Sequence, residues 1–142
     1  MTGRDNRSGF TLLELLMVVI IIAILASIAM PQFFRVVERS RTSQMLPLLG
    51  TIRGSEIRYR ALNNLYDNSA GLVNLDITQP AVMPTGWAAP TATGTAPGSN
   101  VQAARTSGTF SGATLQVNID DGITCASTAA AATEWGVAPP GC

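Results

Sequence analysis

Residues Ser8 to Phe34 read S-G-F-T-L-L-E-L-L-M-V-V-I-I-I-A-I-L-A-S-I-A-M-P-Q-F-F, and this stretch decides how the rest of the chain can be arranged. From Leu15 through Phe34 it carries no charge. At about 1.5 Å per helical residue those positions reach about 30 Å, the thickness of a bilayer's hydrocarbon core. The run therefore predicts a membrane-length helix near the N-terminus. Glu14 stands inside the apolar block. A charged side chain deep in a bilayer costs roughly 2.5 kcal/mol or more on insertion scales. A plain anchor gains nothing from such a group, so a neutralising partner is expected.

Gly9-Phe10-Thr11-Leu12-Leu13-Glu14-Leu15, the aliphatic run behind it, Ala26-Ser27-Ile28-Ala29-Met30-Pro31 and then Phe33 together resemble the N-terminal signature of type IV pilins and the related pseudopilins. The joint pattern is far more specific than any one of its residues. The resemblance implies that a prepilin peptidase cuts between Gly9 and Phe10, releasing residues 1–9 as a leader, and that the new amino terminus of Phe10 is N-methylated. It implies that Glu14 brings each subunit to the growing filament by pairing with a neighbour's terminal amine. The implied partners are further copies of the chain in a homopolymeric helical filament, the peptidase, an inner-membrane assembly platform and, before assembly, the membrane itself. The implied location is the bacterial inner membrane for the precursor and the cell surface for the filament. One departure is Ala23, where the family often has glycine. Alanine is the better helix former, so local melting of the helix would depend on Pro31 alone.

The chemistry of the residues supports the same reading. A cut after Gly9 creates an α-amino group, mostly protonated near neutral pH, at the end of an apolar helix that already carries a carboxylate. Each charge alone is expensive in hydrocarbon, and paired between subunits they cancel. Such pairing sets a register, because a helix slipped by one turn leaves both groups unpaired. The rival is an ordinary secretory signal or a plain anchor. Against a signal, the apolar run exceeds the usual ~7–15 residues and Glu14 lies within it rather than before it. A small-residue cleavage site at Ser27-Ile28-Ala29 keeps that rival open.

The 142 residues leave room for one domain besides the anchor. Formal net charge is zero, with nine basic residues, all arginine, and no histidine. A neutral chain gives no support for a nucleic-acid partner. In the leader, Arg4 and Arg7 against Asp5 form a short basic flank that keeps the N-terminus cytoplasmic. Cys125 and Cys142 read first as a disulfide in an exported segment, worth about 3 kcal/mol for a loop of this length. That arrangement also resembles the C-terminal disulfide loop of many pilins. Two cysteines without histidine cannot build a four-ligand zinc cage, and no metal or other cofactor is expected. No catalytic residues are expected either: the usual histidine base, a glycine-rich phosphate loop and a nucleophile-like Ser or Cys are all missing, so the chain does not read as an enzyme. Asp120-Asp121 would suit a hard cation, and a hairpin turn explains them at least as well.

Beyond the anchor, Pro31 predicts a kink, and Pro47, with Gly50 and Gly54 nearby, predicts a second. Met45, Leu48, Ile52, Ser55, Tyr59, Leu62 and Tyr66 recur at spacings of three and four, an amphipathic stripe for one face of a continuing helix. Arg53, Glu56, Arg58 and Arg60 fall on the other face and read as solvated or turned toward neighbouring subunits. Asn63-Asn64 and Asp67-Asn68 end the helix. Leu72 to Ile77 reads as a helical turn or brief strand, and residues 80–100, with four prolines, read as a long surface loop pinned by Trp87. Ala113 to Asp120 alternates apolar and polar residues, the pattern of a half-buried strand, and Asp121-Gly122 turns it toward Ile123 to Ser127. Val101 to Arg105 and Thr109 to Ser111 supply a further strand.

The sum is an α+β fold: a leader over 1–9, a hydrophobic transmembrane and assembly helix over 10–34, an amphipathic continuation over 35–66, and a globular region over 67–142 with a small antiparallel sheet packed on the helix. Function then reads as a structural subunit of a type IV pilus. The alternatives are a type II secretion or competence pseudopilin, or a membrane-anchored binding module that never polymerises.

Overall fold

Helix α1 (Leu12–Asn63) opens the structure, a computed structural model that describes residues 9–141. It runs on through Pro31 and Pro47, each of which removes one backbone N–H donor without ending it. The helix stops where Asn64 adopts a left-handed backbone, φ 59°, a conformation asparagine tolerates better than most residues. This is three residues short of the predicted end at Tyr66.

The chain divides into two units, residues 1–34 and 35–142. The described part of the first is the N-terminal half of α1 and the three residues before it. Its large apolar side chains are all exposed, and it is the one helix among the described residues long and apolar enough to cross a membrane.

The second unit has a core of its own. The C-terminal half of α1 buries Thr42, Met45, Leu49, Ile52, Ser55 and Glu56. Against it lies an antiparallel sheet of β1 (Thr91–Ala92), β2 (Asn100–Ala104), β3 (Thr114–Asn118) and β4 (Thr124–Ala126), in sequence order. Val101 faces Val117 and Ala103 faces Leu115 across the β2–β3 pair. All four are buried, as the period-two pattern requires when one face meets a helix. The β3–β4 hairpin turns at Asp121-Gly122 as expected, with Gly122 at φ 79°. Thr109 to Ser111 is a turn rather than part of a strand.

A second helix, α2 (Ala129–Trp135), was not foreseen. The Thr128 side chain accepts a hydrogen bond from the Ala131 N–H at its start, and Gly136, φ 73°, closes its end. It delivers Trp135 to the core, where its ring lies 5.3 Å from that of Trp87 and 5.9 Å from that of Phe110. Trp87 pins the 80–100 loop, buried and donating its indole N–H to the Arg41 carbonyl at 3.2 Å.

The stripe predicted for α1 holds at Met45, Ile52 and Ser55 and fails at its end: Leu62 is 87% exposed, and Tyr66, though buried, lies past the helix. The opposite face is corrected more fully. Glu56 is completely buried and accepts the Asp67 N–H at 2.8 Å. Arg53 donates to the carbonyls of Asn118, Ile119 and Asp120, Arg58 clamps Asp76, and Arg60 binds Asp120 at 2.8 Å. These groups tie the helix to the sheet and to the segment after it, because that segment folds back over a face that helical spacing alone leaves bare.

Candidate functional site

Processing and assembly are expected to rest on Gly9, Phe10 and Glu14, with Thr11 between them. Gly9 has open space where a side chain would stand, and Phe10 beside it is 83% exposed. Among the described residues nothing packs against the place a Gly9 side chain would take. Thr11 precedes the first helical residue, and Glu14 lies in the first turn.

Thr11 and Glu14 hold each other. The Thr11 N–H and hydroxyl both donate to Glu14 Oε2, at 3.0 and 2.9 Å, and the Glu14 N–H donates back to Thr11 Oγ1 at 3.2 Å. This is a capping box: a helix start leaves backbone N–H groups unsatisfied, and the threonine and glutamate each cover one. The carboxylate expected to wait for an outside partner therefore has one inside its own subunit. One oxygen takes both Thr11 donors, and Oε1 accepts none of these bonds. The sequence signal for this, T-x-x-E ahead of an apolar run, is plain in Thr11-Leu12-Leu13-Glu14 and was not read there.

Behind the box, the apolar residues from Leu15 to Phe34 present their side chains outward on every face of the helix. Ser27 donates to the Ile24 carbonyl at 2.7 Å, so even the run's hydroxyl is satisfied locally. Phe33 and Phe34 meet edge to face at 6.1 Å near its end. A free surface of this size and character is one that solvent does not tolerate and that lipid or other helices would cover.

The remaining expected residues lie elsewhere. Pro31 and Pro47 sit within α1. Cys125 is fully buried on β4, and the tail returns beside it, Ala138 donating to the Thr124 carbonyl at 3.0 Å and accepting from the Ala126 N–H at 3.1 Å. Cys142 and most of the leader, residues 1–8, lie outside the described residues. Asp120 accepts from the Tyr66 hydroxyl, Arg60 and the Gly98 N–H, which hold its carboxyl below the usual carboxylate range. Among the described residues no group of three or more acidic, histidine or cysteine side chains could hold a metal ion.

A family model described as the prokaryotic N-terminal methylation motif matches residues 4–30, and the chain carries that motif. The chain is 47% identical over 50 residues to a type IV major fimbrial protein FimA of Dichelobacter nodosus, 35% of this chain and 32% of that protein. It is 38% identical over 69 residues to the fimbrial protein EcpC of Eikenella corrodens, 47% of this chain and 45% of that one. It is 36% identical over 73 residues to the type IV wide pilus major component PilA4 of Thermus thermophilus, 51% of this chain and 56% of that one. The chain thus spans between about a third and just over half the length of these relatives. No solved structure matches it.

Proposed function

We propose that this chain is the structural subunit of a type IV pilus, made as a membrane-anchored precursor and polymerised through its apolar N-terminal helix. The observation that carries the proposal is an exposed Phe10 next to Gly9, followed by Glu14 in the first helical turn and an exposed, charge-free stretch from Leu15 to Phe34. A prepilin peptidase cuts after Gly9, Phe10 is N-methylated, and its amino group meets Glu14 of an adjacent copy. The apolar helices of many copies then leave the lipid together and pack on one another, with the sheet units outward. Pro31 and Pro47 bend the helix to follow its neighbours, and a Cys125–Cys142 disulfide closes the tail.

The motif and the names of the relatives support this reading, which needs no catalytic group in the chain. The test is Glu14→Ala. Membrane insertion and leader cleavage are expected to persist while filament yield falls sharply. Filaments of normal yield and length from that variant would remove the assembly role.

A further inference from the structure

The second unit holds a buried acid that assembly does not use. Glu56 is completely buried near the C-terminal end of α1. Its Oε2 accepts the Asp67 N–H at 2.8 Å, while Oε1 is buried and has no hydrogen-bond partner among the described residues. Asp67, itself buried, is a second carboxylate on the segment that folds back over the helix. That one is fully served, by the Ser69 N–H and hydroxyl and by the Asn74 backbone and side-chain N–H groups. The cations nearby in sequence are spent elsewhere: Arg53 on the sheet carbonyls, Arg58 on Asp76, Arg60 on Asp120 and Tyr66. No ion pair reaches Glu56 among the described residues.

The segment held in this way is strained. Leu72 adopts a left-handed backbone, φ 54°, which side-chain-bearing residues rarely take. Its polar ties to α1 are the Glu56 bond to Asp67, Asp76 against Ser55 and Arg58, and the Tyr66 hydroxyl held by Arg60, while Tyr66, Leu72 and Leu75 sit in the core. Local opening of such a segment has a free energy of its own, at or below that of global unfolding, and a buried group on its contact face can change it.

We propose that Glu56 is a pH-sensitive latch whose protonation state sets how firmly residues 64–77 are held against the end of α1. Protonated, the side chain keeps a carbonyl oxygen for the Asp67 N–H and places no charge in the core. Ionised, it puts an uncompensated negative charge beside Asp67, and opening the segment relieves it by readmitting water. Burial pushes the Glu56 carboxyl up from 4.5 to about 6; the Asp67 N–H opposes that shift and the Asp67 charge adds to it. The folded acid thus keeps its proton to higher pH than the open one. Closure is favoured most below 4.5 and weakens as pH rises through about 6. The ratio of the two proton affinities limits the effect to about thirtyfold in the opening equilibrium.

The latch belongs to the second unit and uses none of the residues expected in processing and assembly, so filament formation can fail while the latch works. The test uses the full chain in detergent micelles. Carbon-detected NMR of the Glu56 carboxyl is expected to titrate near 6. Hydrogen exchange at the Asp67 amide, corrected for intrinsic rates, is expected to show opening that rises tenfold to thirtyfold between pH 4.5 and 7.5. Glu56→Gln, which keeps the acceptor, is expected to abolish that rise. Titration near 4.5, or the same pH response in Glu56→Gln, would overturn the latch; if the variant fails to fold, the wild-type titration decides alone.

Discussion

Glu14 has one role in the structure and a second in the proposed filament, and a single substitution can separate them. In the capping box it acts as a hydrogen-bond acceptor at the helix start, which a glutamine does almost as well. In the proposed filament it acts as a charge. Glu14→Gln is therefore expected to leave helix content in micelles unchanged by circular dichroism. Removing one member of a buried charge pair costs roughly 3–5 kcal/mol, so subunit addition is expected to weaken by about a hundredfold or more. Filament yield from the variant measures it; undiminished yield would mean that the acceptor, not the charge, matters. The residue itself was easy to find in the sequence, because an acid in an apolar run is conspicuous. Its partner inside the chain stands three positions back at Thr11, in the T-x-x-E spacing of a capping box, a signal carried by hydrogen bonding rather than by charge. Glu56 was unreadable in the same sense: spacing places it on a helix face, and only the fold-back of residues 64–77 buries that face.

Elements are joined in the second unit by a buried ion pair. Arg105, just past β2, is buried, with Nη2 donating to both carboxylate oxygens of Glu38 on α1 at 3.1 and 2.8 Å. Nη1 reaches the Thr85 and Gly86 carbonyls, and the guanidinium lies 5.1 Å from the centre of the Trp87 ring. Gly86 is needed there: its φ is 82°, and a Cβ would stand 2.7 Å from Arg105 Nη1. Truncating Glu38 to alanine strands a buried guanidinium and is expected to cost roughly 3–5 kcal/mol. Replacing both partners, Glu38→Leu with Arg105→Met, is expected to cost clearly less, since no buried charge is left unpaired and Arg41, which also pairs with Glu38 at 3.2 Å, is open to water. Denaturant unfolding followed by tryptophan fluorescence measures both, and equal losses would contradict the argument. Regular spacing made α1 and the β3–β4 hairpin legible. Helix α2 was not, because its four consecutive alanines show no apolar period; its signals were only the cap residues, Thr128 and Gly136. Arg105 was hidden because burial of an arginine depends on where Glu38 arrives, 67 positions away.

At the scale of the molecule, two surfaces of opposite character share one chain. Every residue of the buried apolar core lies between Met45 and Trp135, within the second unit. The long run of exposed apolar side chains lies before Arg35, in the first. The boundary between the units coincides with the end of the charge-free stretch at Phe34. Stability and anchoring are thereby separated along the sequence. A chain starting at Arg35 loses no core residue, and it keeps Glu38 for Arg105 and the Arg41 carbonyl for Trp87. Residues 35–142 alone are expected to be monomeric without detergent. Surface substitutions away from the core usually change stability by no more than ~0.5 kcal/mol, about 2–4 °C for a domain of this size, and the truncation is expected to stay within that range because it removes no core residue. Thermal melting of the truncated and full chains in the same detergent measures this, and gel filtration without detergent checks the first point. A truncated chain that melts far lower, or that still needs detergent, would mean that the first 34 residues help hold the fold. The expected result leaves the N-terminal helix one task, to be buried by something outside its own subunit, which is the physical requirement for a protein that polymerises.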